Sequence, residues 1–163
     1  LNNIKNSLTK LASESFSSVS SPIQYAAISA FTKDHSNYIE RIKKILKEVG
    51  MYVYENLKSN KILINKPEGG FYLMPEFINN KFSTSSEMCK NIINETGVAL
   101  LPGSVFGFSE NKMLVRLSFT DFDGEKLLNN TSGCKEINQD ILSKFAPNIL
   151  EGISKLKHWS QNI

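Results

Sequence analysis

The sequence predicts a mixed α/β domain, an α+β sandwich in which a small sheet of few strands is covered by helices. Three observations predict it: apolar residues recurring at helical period, short β-branched and aromatic runs between them, and Gly- and Pro-bearing turns at the junctions. A chain of 163 residues with 40% hydrophobic residues suits one compact domain, and no internal repeat or low-complexity linker divides it.

Taken in order, Ser21, Pro22 and Gln24 read as a helix start: Ser as N-cap, Pro at the first helical position, and Gln reaching back from the third. That helix runs through IQYAAISAF. A longer one follows in SNYIERIKKILKEVGMYVYENLKSN, where Ile39, Ile42, Ile45, Leu46, Val49, Val53 and Leu57 recur at three- and four-residue steps. Gly50 inside it costs about 1 kcal/mol against Ala and marks a bend or a close contact. KILINK and FYLMPEF read as two neighbouring strands, separated by the turn residues Pro67, Glu68, Gly69 and Gly70. A helix from Ser85 to Thr96 is expected to bury Met88, Cys89, Ile92 and Ile93 and to stop at Gly97. VALLPGSVFG then gives a brief strand and a Pro-Gly turn. In MLVRLSFT, alternation puts Met113, Val115, Leu117 and Phe119 on one face and Leu114, Arg116, Ser118 and Thr120 on the other. A polar stretch and a short helix at ILSKF lead to a last helix, on which Ile149, Leu150, Ile153 and Leu156 share a face.

Charge is nearly balanced, with 19 basic against 16 acidic residues scattered along the chain, so nothing supports nucleic-acid binding. No apolar stretch approaches the ~20 residues of a membrane span. Cys89 and Cys134 form no CxxC pair, and with no signal or transit pattern at the N-terminus a reduced, cytoplasmic setting is expected. The beginning, LNNIKNSLTK, reads like an internal cut site.

Few residues point to chemistry. His35 beside Asp34 and His158 beside Trp159 have no nucleophile near them in sequence and read as surface histidines. No cluster has zinc spacing, and the DFDGE segment lacks the further acids of a calcium loop, so no metal is expected. Ser17, Ser18 and Ser20 read as a solvated connector with a helix cap at its end. GSVFG lacks the Lys and Ser/Thr of a phosphate loop. Arg116 remains. Seventeen of the basic residues are Lys and only Arg41 and Arg116 are Arg, and a guanidinium set between Val115 and Leu117 needs an anion. That anion is either a bound carboxylate, which the planar two-toothed fork fits, or an internal Asp or Glu.

Three segments, in order, resemble the class I/II aminotransferases of fold type I: PEGGFYLMPEF their P-x-G-G/A-F-Y segment, TGVALLPGSVFG their PGS-x-FG segment, and VRLSF the strand bearing their substrate-carboxylate arginine. FSSVSSPIQYAAISAF resembles the passage from their large domain into a connecting helix, so the resemblance runs from Phe16 to Trp159. It implies the C-terminal small domain of a pyridoxal-phosphate-dependent aminotransferase. Residues 1–21 would lead from the large domain, 22–163 would form the small domain, and 129–147 would be an insertion. Arg116 would grip the α-carboxylate of amino-acid and 2-oxo-acid substrates, and the partners would be the chain's own N-terminal large domain and, at full length, a second copy in a homodimer.

The family's cofactor lysine lies in an S-x-x-K segment followed within about ten residues by G-x-R-x-G. Lys10, in SLTKLASE, has no such continuation. The expectation is that the lysine lies upstream of Leu1, that no catalytic, cofactor-binding or metal-binding residue belongs to this chain, and that the chain alone is inactive and holds no pyridoxal phosphate. The same fold serving a pyridoxal-phosphate lyase or synthase, and a non-catalytic interaction domain, stand as alternatives.

Overall fold

The structure, a computed structural model, describes residues 2–16, 18–79, 81–133 and 137–163. Ser17 and Cys134, which figured in the sequence reading, lie outside the described residues. The chain divides into two compact units, Leu1–Tyr38 and Ile39–Ile163.

In the first unit, helix α1 (Asn2–Ser15) occupies a segment to which the sequence reading gave no element, and neither it nor α2 (Ser21–Thr32) contains a buried residue. Two expectations about the start of α2 need correction. The N-cap is Ser20, not Ser21, and its side chain makes no capping bond; the Gln24 amide instead donates to the Val19 carbonyl at 2.7 Å. Pro22 still falls in the first turn, where its missing N–H has no intrahelical partner to lose.

Helix α3 (Ser36–Leu57) carries the chain into the second unit and buries Ile45, Val49, Val53 and Leu57, at four-residue steps within the pattern read from the sequence. Ile39 is exposed. Gly50 marks a close contact: a Cβ there would stand 3.1 Å from Phe119 Cζ. The core is completed by Phe77, Met88, Ile92, Phe119, Leu156 and Trp159. Trp159 is held as well as buried. Its indole N–H donates to Asn91 Oδ1 at 3.0 Å, while its ring stacks on Phe82 and meets Phe77 edge-on.

The strands are short and their pairs antiparallel. β1 (Ile62–Leu63) pairs with β3 (Glu76–Phe77), and β2 (Tyr72–Leu73) and β4 (Leu101–Pro102) flank β5 (Val115–Ser118) in the order β2-β5-β4. FYLMPEF, read as one strand, is thus two. Pro75 has no N–H to give a ladder, so its two halves serve different sheets, and the Glu76–Leu114 bridge links them.

Helix α4 (Ser85–Thr96) is capped as its sequence dictates. Thr84 Oγ1 accepts from the Glu87 N–H, Glu87 reaches back to the Ser83 N–H, and Gly97 closes the helix at φ 74°. Ile93, expected in the core, is exposed, while Met88, Cys89 and Ile92 are buried as expected. Then come α5 (Gly124–Asn130), capped by Asp123, the expected short helix α6 (Gln139–Phe145), and α7 (Pro147–Gln161), which buries Ile149, Ile153 and Leu156. The result is the mixed α/β architecture the sequence predicts.

Candidate functional site

Arg116 sits on the middle strand of the three-stranded sheet. Leu101 of β4 lies opposite Arg116 itself, and Tyr72 and Leu73 of β2 lie opposite Ser118 and Leu117. The alternation read from the sequence holds: Met113, Val115, Leu117 and Phe119 are buried, whereas Arg116 is half-buried and Ser118 and Thr120 are exposed. Leu114, on the arginine's face, is buried too. It lies under the turn that follows β4, where the Gly103 N–H donates to the Leu114 carbonyl at 2.7 Å. A Cβ on Gly103 would stand 2.8 Å from that oxygen, so only glycine allows the approach.

Two rings flank the guanidinium. The Tyr72 ring centre lies 4.4 Å from Arg116 Cζ, and the Phe106 ring centre 4.6 Å. Tyr72 comes from the strand on one side of β5. Phe106 comes from the 3₁₀ turn, Gly103–Phe106, that follows the strand on the other side. Among the described residues no carboxylate lies within 4.0 Å of Arg116 and nothing accepts a hydrogen bond from it. The internal ion pair that stood as one of two readings of Arg116 therefore has no partner among them. The half-buried guanidinium thus meets two π faces and, among the described residues, no hydrogen-bond acceptor.

Tyr72 and Phe106 were not singled out in the sequence, although both lie inside the segments that carry the family resemblance, FYLMPEF and GSVFG. Residue type alone does not tell an exposed aromatic ring that flanks a cation from one that merely packs. The remaining candidates play no part at this site. His35 and His158 are exposed, and no group of three His, Cys, Asp or Glu side chains could hold a metal ion among the described residues. Cys89 is buried, and desolvation pushes its thiol up to about 11, so it packs in the core as a neutral side chain. A cavity of about 550 Å³, lined by Val98, Leu117, Phe119, Asp121, Ile153 and Lys155 among others, does not include Arg116 in its wall. The Lys155 charge there is already met by Glu151 at 2.7 Å. No helix among the described residues is long and apolar enough to cross a membrane.

Known proteins resemble this chain in sequence and in fold. A family model described as aminotransferase class I and II matches residues 2–129. The chain is 31% identical over 121 residues to an aspartate aminotransferase of Sulfolobus acidocaldarius, covering 72% of this chain and 30% of that protein. The crystal structure of an aspartate aminotransferase from Thermotoga maritima superposes with a TM-score of 0.62 at 25% identity, over 96% of this chain and 33% of that one. An alanine aminotransferase from Pyrococcus furiosus shares the fold, with a TM-score of 0.69 at 22% identity over 99% of this chain and 35% of that one. The chain thus spans about a third of the length of the relatives it matches. Segment order, fold and sequence similarity converge: the chain belongs to the class I and II aminotransferases, the pyridoxal-phosphate-dependent family of fold type I.

Proposed function

We propose that this chain is the C-terminal, smaller domain of an aminotransferase that moves an amino group between an amino acid and a 2-oxo acid, and that Arg116 binds the α-carboxylate of both. The observation that supports this reading is Arg116 itself: charged, half-buried, set between two rings, with no anion of its own among the described residues. In this reading residues 22–163 form the domain, 1–21 lead into it, and 129–147 are an insertion.

The donor set fits the substrate that pyridoxal phosphate would carry. It offers one guanidinium fork, and no residue of this chain is assigned to the cofactor itself. Bound in the rest of the enzyme, pyridoxal phosphate would supply the electron sink that lets the substrate Cα–H bond break. Arg116 supplies orientation. Two parallel N–H···O bonds to the carboxylate remove rotation of the substrate about its own axis, and a strand holds the donor more rigidly than a loop would. The chain alone is proposed to be inactive and to form no stoichiometric complex with pyridoxal phosphate. A large domain, a second copy and a cytoplasmic setting complete the proposal. Apolar residues of the first unit support such partners, since Ile4, Leu8, Leu11, Ile23, Tyr25 and Phe31 are all more than half exposed.

The test is a pair of substrates in the full-length enzyme. Arg116→Gln is expected to lower kcat/KM for an α-amino acid by about 10²- to 10³-fold, the cost of removing one side of a desolvated charge pair. Its effect on the corresponding amine, which lacks the carboxylate, should stay within about threefold. Equal losses on both substrates would overturn the assignment.

A further inference from the structure

We propose that Tyr72 and Phe106 are positioning residues for Arg116: their rings, brought from the strands on either side of β5, hold the guanidinium so that only its nitrogen-bearing edge faces an incoming carboxylate. The inference deepens the carboxylate-grip reading of Arg116 and rests on it.

An arginine side chain has several rotatable bonds, and one without hydrogen bonds would ordinarily wander, so a bound carboxylate would have to order it. Here the ordering is done beforehand. β2 and β4 lie on opposite edges of β5, so Tyr72 and Phe106 approach the guanidinium from different sides, with ring centres 4.4 and 4.6 Å from Cζ. Each ring is itself fixed. Tyr72 packs against Phe71 with ring centres 4.4 Å apart, and the Phe106 turn is tied to β5 through the bond from Gly103 to Leu114.

The chemistry of the two neighbours matters as much as their place. An Asp or Glu there would neutralise the fork and compete with the ligand, whereas a ring face attracts the cation and leaves every N–H free. The rings also displace water from the guanidinium, which strengthens any charge-assisted bond formed at its edge. Tyr72 is 43% exposed and Phe106 42%, so neither ring is sealed in the core.

The two-arginine composition makes the test clean. In the chain with ¹⁵N-labelled arginine, only Arg41 and Arg116 contribute Nε–Hε signals, and Arg41→Lys assigns them. The Arg116 signal should lie upfield through the ring currents of its two neighbours; a signal at the ordinary position in the unsubstituted chain would by itself overturn the clamp. Sodium acetate, titrated against sodium chloride at matched ionic strength, should move the Arg116 signal and leave Arg41 in place. Phe106→Leu and Tyr72→Leu should each weaken acetate binding about three- to tenfold and return the signal downfield, while Tyr72→Phe, which keeps the ring, should change neither. Equal acetate affinity in the leucine variants would overturn the clamp and leave the carboxylate grip standing. An Arg116 signal indifferent to acetate in the unsubstituted chain would overturn the grip, and the clamp with it.

Discussion

Arg41 and Arg116 are the two arginines of this chain, both half-buried, and the fold uses them in opposite ways. Arg41, near the start of α3, donates from Nη2 to the Leu128 carbonyl in the last turn of α5 at 2.5 Å, while its buried Nε has no partner among the described residues. The last carbonyls of a helix lack intrahelical donors and carry the negative end of its dipole, so a guanidinium there is already engaged. Arg116 lies on a strand whose backbone groups are paired across the sheet, and no free carbonyl or carboxylate reaches it among the described residues. Neither is fully buried or fully exposed; the backbone ends within reach are what differ. An arginine is available for a ligand when the surrounding fold offers it nothing to bond.

That contrast can be broken by experiment. The largest effect on folding is expected from Arg41→Ala, which leaves the Leu128 carbonyl with only a long 3.4 Å bond from the Thr131 hydroxyl and removes a half-buried stem. Denaturant unfolding should show a loss of about 1–2 kcal/mol, relief of the orphaned Nε offsetting part of the cost. Arg116→Met should cost less than about 1 kcal/mol in the same measurement, since only cation–π contacts are lost. A larger loss at Arg116 than at Arg41 would reverse the contrast and make Arg116 a structural residue. The smallest effect concerns the other end of α5. There the Asp123 carboxylate accepts from the Lys126 N–H, and that bond holds its pKa below the ordinary carboxylate value. A folded-state pKa depressed in this way adds stability above the ordinary value, and that increment disappears as pH falls through the depressed one. Asp123→Asn should flatten the acid limb of the stability profile slightly, and an unchanged limb would show that the charge on the Asp123 cap adds nothing to stability.

The difference between the arginines also explains what could be read from the sequence. Arg116 was legible because its setting is local: the alternation of MLVRLSFT places it on the open face, and the segments around it carry the family resemblance. The caps at Thr84 and Gly97 were legible for the same reason, each being a few residues of chain acting on themselves. The role of Arg41 was not, because its acceptor lies 87 residues away and nothing near position 41 announces it. Tyr72 and Phe106 were hidden by the same distance, each meeting Arg116 only once the sheet order is set. Helix α1 was passed over although Ile4, Leu8 and Leu11 are helically spaced, and it buries none of them, so no core pattern marks it. The core of the second unit largely followed from periodicity, but tertiary packing left Ile39 and Ile93 uncovered.

Gly103 shows how indirectly a binding geometry can be specified. It touches neither Arg116 nor any ligand in the reading above, yet the contact with Leu114 is possible only because position 103 has no side chain. A single added methyl group would push the turn off β5 and carry Phe106, three residues on, away from the guanidinium. In the proposed clamp the aim of the arginine would thus be encoded in part by an atom the chain omits, and Gly103→Ala would act on the site as a misalignment, in a protein whose charges and rings were all still in place.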